Sequence, residues 1–201
     1  MRHSICLLLL IAVLLAVSPL SNIKNTYDRI QTIQGNFTQT ICSNTDGTCQ
    51  QFEGKFFIKR PYFTRLEVIK PEKQILIIDS ANLYIYLVNQ KKMYVQPANA
   101  GINFFAIFDL LLSDTLGFQL TAIENNLLLF ERQKDSLHQI TESLRNIKFF
   151  CNPKTNLIEK FSYLDESERE IEFVLSKIKV NEKVSPKLFK LTIPKDVEIF
   201  K

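Results

Sequence analysis

Gln51-Phe52-Glu53-Gly54-Lys55-Phe56-Phe57-Ile58-Lys59-Arg60-Pro61 belongs to a forty-residue stretch, Gln50 to Asn89, that reads as four strands with almost no spacer between them. Pro61 and Pro71 punctuate it, since each lacks an amide donor and biases the residue before it toward extended backbone. Thr64 to Lys70, Gln74 to Asp79 and Asn82 to Asn89 follow. Their apolar residues alternate or run continuously, and β-branched and aromatic types dominate. Connections this short predict an antiparallel meander. In the first of the four strands, period two puts Phe52, Gly54, Phe56, Ile58 and Arg60 on one face and Glu53, Lys55, Phe57 and Lys59 on the other. Arg60 thus ends an apolar face, where a guanidinium either finds acceptors or reaches water. For the Gln74 and Asn82 strands the inward parity is undecided, because both faces are apolar.

Gly54-x-Phe56-x-x-Lys59-Arg60-Pro61, then Pro71-x-x-Gln74 leading to Ile78-Asp79-Ser80 and the aromatic strand Tyr84 to Tyr86, resembles the core signature of the LolA family, periplasmic carriers of outer-membrane lipoproteins. The resemblance implies a mainly β fold with covering helices (α+β), an open antiparallel half-barrel of about eleven strands with lid helices over an apolar cavity. It also implies that the arginine at Arg60 fastens the lid through backbone carbonyls. The partners implied are acylated lipoproteins, an inner-membrane lipoprotein-releasing ABC transporter and, where present, an outer-membrane acceptor lipoprotein. No nucleic acid and no cofactor are expected, and the protein is expected to be a monomer. Tyr62-Phe63-Thr64-Arg65 departs from the family pattern: the aromatic stands one residue early and no tryptophan follows, although Arg65 keeps the arginine.

Composition bounds the rest. With 201 residues, 46% apolar, and only 5 glycines, the chain can bury one sizeable core. A formal charge of +4 is too mild to indicate nucleic acid without an arginine-rich run. Arg2 precedes thirteen apolar residues, Ile5 to Val17, ended by Ser18-Pro19. That run is short for a bilayer span and fits a secretory leader, expected over residues 1–21, with one exported domain over 22–201, which the resemblance places in the periplasm. Cleavage after Ser18 or nearer Ser21 are both compatible with the residues. Cys42 and Cys49 flank an Asp46-Gly47 turn, so a disulfide across a hairpin suits an exported chain, the alternative being two free thiols. Cys151 is left without a partner.

In chain order, Ile23, Tyr27, Ile30 and Ile33 give an amphipathic helix over Asn22 to Ile33, ended by Gly35, and Asn36 to Ile41 is the first strand. After the strand Lys92 to Pro97 comes a breaker-rich hinge to Gly101. Ile102 to Leu112 then holds nine apolar residues of eleven. Phe104, Ile107, Phe108, Leu111 and Leu112 make one helical stripe, while Ile102, Phe105, Ala106 and Leu110 are left over. A helix so apolar is either core throughout or the movable wall of a ligand cavity. Strands are expected at Phe118 to Ile123, Leu127 to Gln133, Arg145 to Cys151, Leu157 to Leu164 and Glu170 to Val180. Ser185-Pro186 starts a brief helix.

Catalysis finds little support. Beyond the leader His138 is the only histidine, with no Gly-x-Ser-x-Gly elbow and no metal-ligand spacing. The carboxylates Asp165, Glu166, Glu168 and Glu170 read as a solvated turn. The surplus in this chain is apolar, which points to a binding protein with an apolar ligand. Phe56, Ile58, Leu66, Ile77, Ile85 and the helix residues Ile102, Phe104, Phe105, Ile107, Phe108 and Leu111 are the candidate cavity wall, with Arg60 at its rim. A carrier of lipoproteins is the leading expectation. A periplasmic lipid or glycolipid binder or sensor with the same half-barrel is the alternative, and a structural envelope protein is the third.

Overall fold

The computed structural model describes residues 19–61, 63–98, 118–124, 127–132 and 145–201. These form one helix, α1 (Pro19–Asp28), and twelve strands: β1 (Thr32–Cys42), β2 (Cys49–Lys59), β3 (Phe63–Lys70), β4 (Gln74–Ile78), β5 (Asn82–Leu87), β6 (Lys92–Pro97), β7 (Phe118–Glu124), β8 (Leu127–Arg132), β9 (Arg145–Cys151), β10 (Ile158–Leu164), β11 (Glu170–Val180) and β12 (Glu198–Phe200). They make a single sheet in the order β12-β6-β5-β4-β3-β2-β1-β11-β10-β9-β8-β7. Its two ends, β12 and β7, are not paired with each other, so the sheet is open. Every pairing is antiparallel except that of β12 with β6. The expected meander from β2 to β6 is present, and the eleven expected strands gain a short twelfth at the C-terminal end.

One face of the sheet, here the inner face, carries α1. Ile23 and Tyr27 of the helix, with Ile30 just after it, pack into a core with Ile33, Phe37, Phe56, Ile58, Ile147, Ile158 and Leu175. Five phenylalanines from five adjacent strands cross this face as a row. Phe37 of β1 meets Phe173 of β11 at 6.1 Å between ring centres, and Phe173 stacks on Phe161 of β10 at 4.7 Å. Phe161 then reaches Phe149 of β9 at 6.3 Å, and Phe149 meets Phe130 of β8 edge-on at 5.6 Å. Such pairs add stabilisation beyond the area they bury.

The helix starts three residues and ends five residues earlier than expected, and Gly35 does not end it. Gly35 sits inside β1 instead, opposite Phe56. A Cβ there would come within 2.8 Å of the Ser176 carbonyl oxygen and 2.9 Å of the Phe56 ring. The glycine is therefore a site of close approach within a strand and not a helix stop. What turns the chain from α1 into β1 is Asn181, with φ of 56°, whose carboxamide accepts from the Gln31 amide at 2.8 Å and donates to the Arg29 carbonyl at 3.2 Å.

Cys42 and Cys49 close the β1–β2 hairpin as a register pair with Cα atoms 4.1 Å apart, and they are disulfide-bonded. Asp46 shapes the loop by accepting from the Thr48 amide at 3.0 Å, and Gly47 takes a left-handed φ of 71°. Loop-entropy arithmetic gives the bridge roughly 2–3 kcal/mol. Cys151 is free and buried, and desolvation, with Glu159 adding to it, pushes its thiol up to about 12. Of Cys42, Cys49 and Cys151, none should react with iodoacetamide at pH 8 in the native state, and one should react after denaturation without reductant. Three reactive thiols in the denatured chain would exclude the bridge.

Candidate functional site

The strand register decides which residues can form an apolar site. Ile58 pairs with Thr64, Thr64 with Ile78, and Ile78 with Leu83, so these four share the inner face. One step along, Phe56, Leu66, Leu76, Ile85 and Tyr94 form a second inner row. Ile75 and Ile77 of β4 and Tyr84 and Tyr86 of β5 belong to the outer face, opposite Glu67 and Arg65 on one side and Met93 and Val95 on the other. Both faces of β4 and β5 are apolar, and the outer one is covered. The outer one meets the C-terminal segment, where Ser185 caps a short 3-10 helix, Pro186–Phe189, and Phe189 packs against Phe63 at 5.6 Å. Arg65 fastens that segment: its Nε donates to Glu67 Oε1 at 2.6 Å and its Nη1 to the Leu188 carbonyl at 3.0 Å.

The residues expected to line a cavity therefore separate. Ile77, only 1% exposed, is buried on the outer face between Arg65 and Tyr84 and cannot face an inner-face ligand. Phe56 and Ile58 are on the inner face but belong to the closed core, at 0% and 1% exposure. Leu66 and Ile85 remain half-buried on the inner face, together with Leu76, Leu87 and Tyr94, which sequence reasoning did not single out. This wing of β3 to β6 is one stretch where inner-face apolar surface among the described residues stays partly open. Ile102, Phe104, Phe105, Ile107, Phe108 and Leu111, expected as the opposing wall, lie outside the described residues, as does His138.

Arg60 stands where the period-two reading put it, at the end of the inner face just beyond β2. Its Nε donates to the Ile30 carbonyl at 2.9 Å and its Nη2 to the Tyr27 carbonyl at 3.2 Å. Those are carbonyls at and just past the C-terminus of α1, where the helix end attracts a cation, and the Tyr27 carbonyl also accepts from the Ile30 amide at 3.1 Å. The Arg60 amide also donates to Gln31 at 2.9 Å. At the other side of the helix end, the Tyr27 hydroxyl accepts from the Ile158 amide at 2.8 Å, next to a register shift in β10. Burial pushes the Tyr27 phenol well up and keeps it neutral. Arg60 and Tyr27 thus tie α1 to both halves of the sheet.

Among the described residues no group of three or more His, Cys, Asp or Glu is placed to hold a metal. Asp165 commits its carboxylate to the β10–β11 turn, accepting from the Ser167 and Arg169 amides at 2.9 Å each and pairing with the Arg169 guanidinium. No helix among the described residues is long and apolar enough to cross a membrane. What the geometry offers is an apolar wing beside a helix held by a few hydrogen bonds.

The comparisons agree on the fold and the family. A protein called outer-membrane lipoprotein carrier protein from Haemophilus ducreyi is 22% identical over 184 residues, spanning 90% of this chain and 83% of the relative. One of the same name from Salmonella paratyphi B is 24% identical over 183 residues, covering 89% and 86%. Among solved structures, an uncharacterized conserved protein from Thermus thermophilus aligns over 91% of this chain and 99% of its own at 11% identity, with a TM-score of 0.55. The family model described as outer membrane lipoprotein carrier protein LolA matches residues 28–192. That match takes in strands β1 to β11 and Arg60, and the chain belongs to the LolA family.

Proposed function

We propose that this protein carries lipoproteins through the periplasm, sheltering their acyl chains between release from the inner membrane and delivery to the outer membrane. The observation that carries the reading is the half-buried apolar wing of Leu66, Leu76, Ile85 and Leu87 on the inner face. Burying acyl chains is worth about 0.8 kcal/mol per methylene, so such a surface binds lipid without catalytic groups. The names of the relatives and the family match support the same ligand class. An inner-membrane ABC transporter as donor and an outer-membrane acceptor lipoprotein are the partners this role would require.

A carrier must also let go, which requires two states close in free energy. Arg60 ties the end of α1 to the rim of the wing with two charge-assisted hydrogen bonds, a coupling of a few kcal/mol that ligand can oppose. Arg60→Leu is expected to cost about 1.5–3 kcal/mol of stability and to alter lipoprotein uptake or release. The assay is transfer of a triacylated lipoprotein from inner-membrane vesicles to the protein and onward to outer-membrane vesicles. Transfer equal to wild type at equal amounts of folded variant confines Arg60 to a structural role. Recovery of some other lipid by mass spectrometry of the purified protein, with no lipoprotein taken up, replaces the carrier reading with that of a lipid binder.

A further inference from the structure

Thr64 is the anomaly of the inner face. Its side chain is 1% exposed, and Oγ1 has no hydrogen-bond partner, the only such buried side-chain atom among the described residues. Buried hydroxyls are ordinarily paired, and leaving one unpaired is costly. The register explains why none is found: Ile58 and Ile78 flank Thr64 on the neighbouring strands, and Leu66 follows it on the same face. Arg60, nearby at the end of β2, carries no acceptor, and its Nε and Nη2 are engaged by the Ile30 and Tyr27 carbonyls. A valine would fill the same space without the cost, so the hydroxyl is a structural liability that a ligand can remove.

We propose that Thr64 Oγ1 is a ligand-binding group that donates a hydrogen bond to the carbonyl oxygen of an acyl ester, selecting ester-linked chains over plain hydrocarbon. This inference rests on the acyl-chain reading of the β3–β6 wing and specifies its substrate chemistry. A wall of Leu66, Leu76, Ile85 and Leu87 recognises only the methylenes. The first polar atom of an acylglycerol next to its chain is the ester carbonyl, which can accept but not donate, and Thr64 offers an uncommitted donor. An ether-linked chain of equal length lacks that carbonyl and leaves the hydroxyl unpaired, which is the situation in which a polar group discriminates.

The test is displacement of a fluorescent fatty acyl probe by 1,2-dipalmitoylglycerol and by its diether counterpart, 1,2-dihexadecylglycerol. Wild type should bind the diester roughly three- to tenfold more tightly, the size expected of one hydrogen bond. Thr64→Val should abolish the preference by weakening the diester alone and should raise the urea midpoint of the ligand-free protein. Thr64→Ser should retain the preference. Equal displacement by the two lipids in wild type, or a preference that survives in Thr64→Val, overturns the inference and leaves acyl binding standing. Failure of the acyl probe itself to bind wild type removes both, and so is told apart from the first result.

Discussion

Phe161→Ala should lower the free energy of unfolding by about 3–5 kcal/mol, measured by urea denaturation. Phe161 is 0% exposed and sits at the middle of the aromatic row, stacked on Phe173 at 4.7 Å and tilted against Phe149 at 6.3 Å. Its removal deletes the transfer free energy of a buried ring, opens a cavity, and cuts the row in two. Relaxation to fill the space is restricted, since its neighbours are held in register on β9 and β11. A domain with a total stability of about 5–15 kcal/mol keeps little in reserve after such a loss. A measured cost under about 1 kcal/mol would show that the row is loosely packed and that the core lies elsewhere.

Gly54→Val is expected to cost more than about 3 kcal/mol, at or beyond the upper end for overpacked cores. Gly54 faces Phe37 across the β1–β2 pair, and a Cβ there would lie 2.7 Å from the Phe37 ring and closer still to the Glu67 carbonyl oxygen. The ring could swing aside with some loss of packing. The carbonyl cannot, because it belongs to β3, at a register shift between the two strands. Gly47→Val is the matched control. A side chain at Gly47 meets nothing within 4 Å, so its cost comes from the left-handed φ of 71° alone, about 1–2 kcal/mol. Equal urea midpoints for the two variants would contradict a steric role for Gly54.

The strands were legible because their signals are local. Proline at 61 and 71, period two in β2, and the Asp46-Gly47 turn each act within a few residues, and the parity count alone put Arg60 at the end of the inner face. Gly35 failed because glycine after an amphipathic stretch marks a helix end in most settings, whereas here its cause is the Ser176 carbonyl, distant in sequence. Ile77 failed for a related reason. A strand apolar on both faces carries no parity signal, and the segment that covers its outer face, Ser185 to Thr192, is remote from it. Thr64 was invisible altogether, since whether a hydroxyl is paired depends on neighbours from β2 and β4. Leu66 and Ile85 were identified by hydrophobicity, which cannot tell a closed core from a half-open wing.

The place of β1 bears on how this molecule comes into being. Its two neighbours are β2, immediately downstream, and β11, near the other end of the chain. The Gln31 amide and Asn181 carboxamide that seal this junction lie 150 residues apart. The meander from β2 to β6 can assemble as soon as it is synthesised, because its pairings are local. The middle of the sheet cannot, since closing so long a loop costs entropy before any contact offsets it. Until β11 has left the ribosome, Phe37 lacks the Phe173 ring that joins it to the rest of the aromatic row. A chain with this wiring stays unfinished while it is being made, which is the condition in which a polypeptide can still be threaded through a membrane pore.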